Sequence, residues 1–453
     1  MSPHPLKIAI IGAGPAGCTL AHLLLRQLPE GSAKLEIFER ETHLHDRDQG
    51  GTLDLHDETG LAALRAAGLI DTPAFNTAAR RDGDAIVLCD KQMRRWLDIA
   101  STADGGWFAQ GKPEMDRLAL RRLLLESLPP DIITWGKQVV KVVNRSDDAT
   151  SVLHFKDGST SSARYDLVVG ADGTYSVVRP LLTPHEPHYS GVGGWNMLCK
   201  QSEAARPLLT KMVNRGSLFA YSDGKVLMGQ QLGSGDLYIS MWGVKPEGWM
   251  DPKVAGYDVA DPAAVKRALL HEFRSWAPEL RELIASFDEA RVWPRSLVML
   301  PTGIKWDSRP GVTVLGDAAH VMCPFVGLGV NAAMGDAMGL ADEIARAVRG
   351  GAATAAELSA AALGKYEAGM LERAHAAQHF TEDIMKLMLF TPGAPGAVIE
   401  DYIVRLTADD MSATLASAWR FLVAIYYFFF KLFFVGGKAA IEGTPLRKLS
   451  VSS

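Results

Sequence analysis

The residues best suited to chemistry in this sequence stand close together: Gly316-Asp317-Ala318-Ala319-His320, followed by Pro324, Gly327, Gly329, Val330 and Asn331. The Asp317 carboxylate can accept hydrogen bonds from hydroxyl groups. The glycines let backbone N–H groups come close to a ligand, and a helix starting behind them turns its partial positive end toward negative charge. His320 could serve as an acid–base group or as a structural histidine beside the ligand; the second reading is preferred. A reduced flavin ring carries negative charge on its pyrimidine side, and this stretch supplies what such a ring needs. Positioning these groups requires a strand, a turn and a helix. Val312-Thr313-Val314-Leu315 is a short apolar run of strand type, and 332–349 is rich in Ala, Met and Leu at helical spacing. The segment 327–332 also resembles a dinucleotide fingerprint, but no strand leads into it, and the acids downstream, Asp342 and Glu343, fall inside the helix.

The N-terminus supplies a better fingerprint. Leu6-Lys7-Ile8-Ala9-Ile10-Ile11 reads as a strand, Gly12-Ala13-Gly14-Pro15-Ala16-Gly17 as a turn opening a helix, and Leu35-Glu36-Ile37-Phe38-Glu39 as a second strand. In this βαβ unit Gly12 allows the tight turn, Gly14 the approach to a pyrophosphate, Gly17 the packing of helix on strand, and Glu39 a bond to a ribose hydroxyl. Ala16 and Arg40 border the same site. The alternative, a tight turn with no ligand, lacks a reason for the acid at the end of the second strand. A third piece, Asp166-Leu167-Val168-Val169-Gly170-Ala171-Asp172-Gly173, is an apolar strand ending in a small-residue turn whose carboxylate is Asp172, with Arg179 beyond it.

With these three pieces in this order, the sequence resembles the single-component FAD-dependent aromatic hydroxylases. Within them it looks most like the tetracycline-inactivating flavin monooxygenases, through Gly50-Gly51-Thr52-Leu53-Asp54-Leu55-His56 and Pro113-Glu114-Met115-Asp116-Arg117. The resemblance implies an α/β fold: a Rossmann-like FAD-binding domain with an inserted mixed β-sheet substrate domain and C-terminal helices. It implies that Asp317, Asp54 and Arg117 contact FAD, that Arg47 meets NADPH, and that one oxygen atom from O₂ enters the substrate by hydroxylation or Baeyer–Villiger insertion. Arg47 could instead be a solvated arginine of the charged loop 43–48, and Arg117 could pair with Glu114. With no second Rossmann unit in the sequence, NADPH would visit a groove beside the flavin. The expected division is 1–182 with 297–350 for the cofactor, 183–296 for the substrate, 351–390 as a bridging helix and 391–453 as an apolar helical tail.

In the substrate part, 218–221, 225–231 and 237–244 alternate like strands. Tyr238 stands where the tetracycline enzymes have a substrate-binding histidine, and Ser217 near their arginine, so the polar contacts to tetracycline are not kept. Trp195, Met197, Phe219, Met228, Tyr238, Met241 and Trp242 take their place. Of these, Phe219, Tyr238 and Trp242 are the candidate contacts to a flat, largely apolar aromatic or polycyclic substrate. A Met and aromatic set at strand spacing is also what a plain core would show.

The rest of the chain narrows the class. A formal net charge of −5 without a basic patch speaks against a nucleic-acid partner. Cys18, Cys89, Cys199 and Cys323 lack any metal-binding spacing and read as buried free thiols in a reducing, cytoplasmic setting. The rival functions are a flavin-dependent halogenase, whose W-x-W-x-I-P pattern is missing, an FAD-dependent reductase or dehydrogenase, and a non-catalytic flavoprotein that sequesters a hydrophobic ligand. The stretch 421–435 holds six of the sixteen phenylalanines and a single charge, Lys431. As a helix it places Ser417, Arg420, Ala424, Tyr427, Lys431 and Lys438 on one stripe and leaves a wide apolar arc. That arc must be buried on protein, on a second subunit, or in an intracellular membrane interface contacted through 411–438.

Overall fold

The computed structural model describes residues 4–44, 50–80, 83, 85–99, 113–408 and 411–434. Arg47, assigned above to NADPH, lies outside the described residues, as does Lys438.

Runs of β-branched residues and leucine build a five-stranded sheet in the order Val312–Val314, Leu167–Gly170, Leu6–Ile11, Ala33–Phe38 and Ile133–Thr134. Every neighbouring pair is parallel. Ile8, Ile10, Val168, Val169 and Val312 are fully buried, as strands covered on both faces require. Helix Pro15–Gln27 packs against helix Gly329–Arg349. Because the strands run the same way, the turns at 12–14, 39–40, 171–173 and 316–317 all emerge at the carboxyl edge, where open α/β sheets bind ligands.

The second sheet has seven strands in the order Val292–Met299, His188–Cys199, Leu237–Val244, Lys225–Gln231, Ser217–Ser222, Ile86–Cys89 and Arg95–Ile99. It is mixed, with Ser217–Ser222 parallel to Ile86–Cys89 and the other pairs antiparallel. The three alternating runs of the sequence are strands here. The division of the chain is less simple than expected. Two strands from within 1–182 complete the substrate sheet, and Val292–Met299 runs across the boundary at 296. Ser217–Ser222 would otherwise expose an unpaired apolar edge, and the buried Val87, Leu88 and Cys89 cover it.

Trp195, Met197, Ile239 and Met241 turn to one face of this sheet, against helices Pro262–Glu272 and Pro278–Ala285. They are core and leave the set of possible substrate contacts. The opposite face meets the cofactor turn and the C-terminal helices. Helix Ala355–Met385 packs along Gly329–Arg349 and continues through the turn Lys386–Phe390, whose Met388 and Leu389 reach the cluster around Trp242.

The tail forms helices Ile399–Thr407 and Ala413–Phe434. The stripe carrying Tyr427 and Lys431 faces protein, because its polar atoms find partners there, and the apolar arc remains exposed. All four cysteines are unpaired and buried, and burial pushes the thiols of Cys18 and Cys89 up to about 12.

Candidate active site

The first turn is closed by backbone. The Gly12 N–H donates to the Phe38 carbonyl at 2.8 Å and the Ala171 N–H to the Ile11 carbonyl at 2.9 Å. Gly12 has φ +107°, and a Cβ there would stand 2.4 Å from the Ala171 carbonyl oxygen. A Cβ on Gly17 would stand 2.2 Å from the Gly12 oxygen, so close helix-on-strand contact accounts for both residues. Gly14 differs: nothing lies within 4 Å of its Cβ position, and as N-cap of helix Pro15–Gln27 it brings no capping side chain. The first-turn N–H groups are thus left for a ligand. Glu39 is buried beneath the turn, accepting from the Ala13 N–H at 2.8 Å and the Glu41 N–H at 3.0 Å, with Arg40 exposed beside it.

At the central turn the Asp172 Oδ2 accepts from the Val177 N–H at 2.7 Å, while its Oδ1 is enclosed without a protein partner. Burial raises the Asp172 pKa, opposed by Ser176 and the Val177 N–H. The buried Arg179 donates to the carbonyls of Thr174 at 3.0 Å and Ala318 at 3.1 Å, tying this turn to the third.

The third turn leaves its strand at Gly316, φ +60°, and opens the short helix Asp317–His320. Asp317 is surrounded by protein, which raises its pKa against the pull of His320 and Arg117, yet its side chain keeps an exposed face. Both hold because the residue lies deep in an open groove. His320 is buried and bonded to Asp336 at 2.6 Å. Burial alone would lower its pKa, but Asp336 and Asp317 outweigh it and hold the pKa above the ordinary value. Asp336 also accepts from the Gly316 N–H at 3.2 Å and from Arg373 at 3.4 Å. This makes His320 a structural brace for the turn. Asp336 was not singled out from sequence, although a carboxylate inside an Ala/Met helix is the signal for it.

Asn331 is fully buried at the start of helix Gly329–Arg349 and spends its side chain on protein. Its Nδ2 donates to the Asp54 carbonyl at 2.8 Å, and its Oδ1 accepts from the His56 N–H at 2.9 Å and the Thr59 hydroxyl at 3.3 Å. The helix bracket thereby fixes strand Thr52–Asp54 and brings the Asp54 carboxylate 3.5 Å from the Cβ position of Gly327. Gly329 has open space, Val330 is partly exposed and Pro324 exposed. Arg117 begins helix Arg117–Glu126 directly after strand Glu114–Asp116, which pairs with Thr52–Asp54, and lies within electrostatic reach of both Asp317 and Tyr238. Glu114 of that strand faces Thr52, Asp54, Arg80 and Asp116, and burial pushes its carboxyl up to about 7.

Across this groove lies the second sheet. Register places Phe219 opposite Met228, Met228 opposite Ser240, Ser240 opposite Asn196 and Asn196 opposite Trp293, so these side chains form one row on one face. Tyr238 and Trp242 share the parity of Ser240 and join that face. The Trp242 ring meets Phe325 of the cofactor turn edge-on at 5.8 Å. The Tyr238 ring packs on Gly50, where a Cβ would stand 2.0 Å from it, and Gln230 bonds to the Thr52 hydroxyl at 3.2 Å. The predicted Phe219, Tyr238 and Trp242 thus all face the cofactor side.

Asn196 escaped the sequence reading, since one amide in an aromatic strand carries no pattern. Its Oδ1 accepts from the Ser240 hydroxyl at 3.0 Å and from the Trp242 indole at 3.2 Å. An indole N–H can only donate, so the bonded atom is the amide oxygen and the Asn196 NH₂ points away from this pair.

No ligand is needed to see what the groove fits. Two helix N-termini lack side-chain caps, Gly14, Gly173 and Gly329 leave open space, Asp172 holds an unmet oxygen, and Asp317 opens into the cleft. This donor and acceptor set suits the pyrophosphate, ribityl chain and ring edge of FAD. The FAD binding domain family matches residues 6–381. This chain belongs to that family. Among similar sequences, monooxygenase asqM of Emericella nidulans is 31% identical over 426 residues, covering 83% of this chain and 94% of asqM. In fold, Klebsiella pneumoniae HpxO complexed with FAD and uric acid aligns with TM-score 0.68 at 21% identity, over 92% of this chain and 97% of HpxO. Tetracycline destructase Tet(55) aligns with TM-score 0.63 at 18% identity, over 90% of this chain and 96% of Tet(55). The family match and the monooxygenase relative together make the chain an FAD-dependent monooxygenase.

Proposed function

We propose that this monooxygenase draws its electrons from NAD(P)H and places one oxygen atom from O₂ on a largely apolar aromatic or polycyclic small molecule that carries an acceptor oxygen. The observation that carries this reading is the cross-strand row. Phe219, Met228 and Trp242 form an apolar floor, and the Asn196 amide is the polar notch within it. Bound FAD supplies the redox chemistry that activates O₂. The protein does the rest: the 12–17 turn and Asp317 hold the cofactor, the apolar floor keeps water from the reacting face, and the Asn196 NH₂ donates to a carbonyl or phenolic oxygen of the substrate and fixes its approach. The protein is taken to be cytoplasmic and peripheral on an intracellular membrane, where such substrates partition.

The test is to follow NADPH oxidation, O₂ uptake and product mass across a panel of polycyclic phenols and ketones. A product heavier by one oxygen atom, formed with matching O₂ uptake, is expected. Ligand-stimulated NADPH oxidation that yields a desaturated or saturated product without O₂ uptake would favour the reductase. Ligand binding with no NADPH consumption would favour sequestration.

A further inference from the structure

The last described helix, Ala413–Phe434, exposes the face that a soluble protein would hide. It is long and apolar enough to cross a membrane, with 22 residues and hydropathy 1.4, yet only 11% of its apolar window is buried. Contacts to the protein run down one stripe at spacing four. Trp419 Nε1 donates to the Thr407 hydroxyl at 2.7 Å, Val423 is buried, the Tyr427 hydroxyl donates to the Trp96 carbonyl at 2.7 Å, and Lys431 meets both oxygens of Glu400 at 2.7 and 2.9 Å. Outward point Phe421, Leu422, Tyr426, Phe429, Phe433 and Phe434, each half or more exposed. A continuous apolar ridge of this kind marks an interaction surface.

We infer that this helix lies flat in the surface of an anionic membrane, its aromatic arc at the acyl boundary and its polar stripe against its own protein. The inference rests on the peripheral seat proposed above and gives it an orientation. Spanning conflicts with the stripe: to stand across a bilayer, the helix would surrender the bonds of Trp419, Tyr427 and Lys431 and take the Lys431 ammonium into hydrocarbon. Lipid suits the arc better than a second copy does. The arc carries no charged side chain to form the polar rim of a protein interface, and its Phe and Leu side chains are of the kind that an interfacial helix buries at the headgroup–acyl boundary. Charge points the same way, since the sequence beyond 434 carries Lys438, Arg447 and Lys448 against the single acid Glu442. The stripe also docks on the substrate side. Trp96, in contact with Phe430 at 5.5 Å, shares a hydrophobic cluster with Tyr221 and Trp242. A flat helix therefore holds the substrate sheet at the level from which an apolar substrate leaves the lipid.

The full FAD-loaded chain should float with vesicles of phosphatidylcholine and phosphatidylserine, float less with phosphatidylcholine alone, and be stripped by alkaline carbonate. A variant carrying Phe429→Ser and Phe433→Ser, both outside the docking stripe, should keep its FAD and lose vesicle binding at least about tenfold. Flotation that resists carbonate would overturn the flat orientation while leaving the membrane seat intact. A chain that stays in the soluble fraction overturns both, and a dimer that the same two substitutions dissociate would identify a second copy as the occupant. Equal flotation of the variant would overturn the role of the aromatic arc.

Discussion

Replacing Asn331 by alanine separates two jobs that a residue in the glycine-rich turn could have. The structure gives its side chain to the Asp54–His56 segment: one bond to the Asp54 carbonyl, one from the His56 N–H and a longer one from Thr59. Each buried group left unmet costs about 1–3 kcal/mol, and a partly exposed one less, so the two backbone groups together lose about 2–4 kcal/mol. Unfolding entropy for 453 residues is about 1 kcal/mol/K, which puts the fall in Tm at roughly 2–4 °C if the chain unfolds as one unit. To the extent that the released strand Thr52–Asp54 loosens in the apoprotein, FAD binding has to order it again, and that share of the energy appears as a rise in the FAD Kd of at most roughly 1,000-fold. Calorimetry of the apoprotein and FAD titration by flavin fluorescence read the two effects separately. Asn331→Asp keeps an acceptor for the His56 N–H but loses the donor to Asp54, and should fall between. Unchanged apoprotein stability with weakened FAD binding would refute the bracket and make Asn331 a direct ligand. No change in either would remove it from the site.

Asp317→Ala should raise the FAD Kd roughly 10- to 100-fold, the worth of a charged hydrogen bond to a ribityl hydroxyl, as seen in flavin retained after gel filtration. Asn196→Leu should leave FAD bound but uncouple NADPH oxidation from product, with a higher substrate KM; Asn196→Asp keeps the acceptor for Trp242 and Ser240 while removing the donor, and should uncouple as well. Glu114 is held up to about 7 chiefly by burial, so the stability it lends is full below its ordinary 4.5 and lost as pH rises through 7. Glu114→Gln should therefore flatten the Tm–pH profile between those values and be the more stable protein at about pH 8; a profile as steep as the parent's would refute the buried acid.

Much of the cofactor half was legible because its signals are local. The 12–17 turn, the strand before Gly316 and the helix behind Asn331 are each contiguous, and each requires a glycine or a carboxylate at a fixed offset. The alternation of 217–244 gave three strands and correctly put Tyr238 and Trp242 on one face. What remained hidden depends on partners far along the chain. Nothing within Ile86–Cys89 shows that its edge pairs in parallel with Ser217–Ser222. Asn331 looked like a ligand because the glycines around it open onto the groove, while the carbonyl it grips lies in another element. The tail's polar stripe was identified, but its side was not, since only Glu400 and Trp96 reveal which way Lys431 and Tyr427 turn.

The interleaving of the two sheets also sets an order of events during synthesis. The parallel sheet cannot be closed before Val312–Val314 is made, and the mixed sheet, begun at Ile86–Cys89, must wait for Val292–Met299. Early strands with unsatisfied edges therefore remain on the nascent chain until roughly two thirds of it has left the ribosome, the condition in which aggregation and chaperone capture compete with folding. Neither half can be cut out as a self-sufficient piece, and a chain stalled before Asp317 would have no complete cradle in which to retain its cofactor.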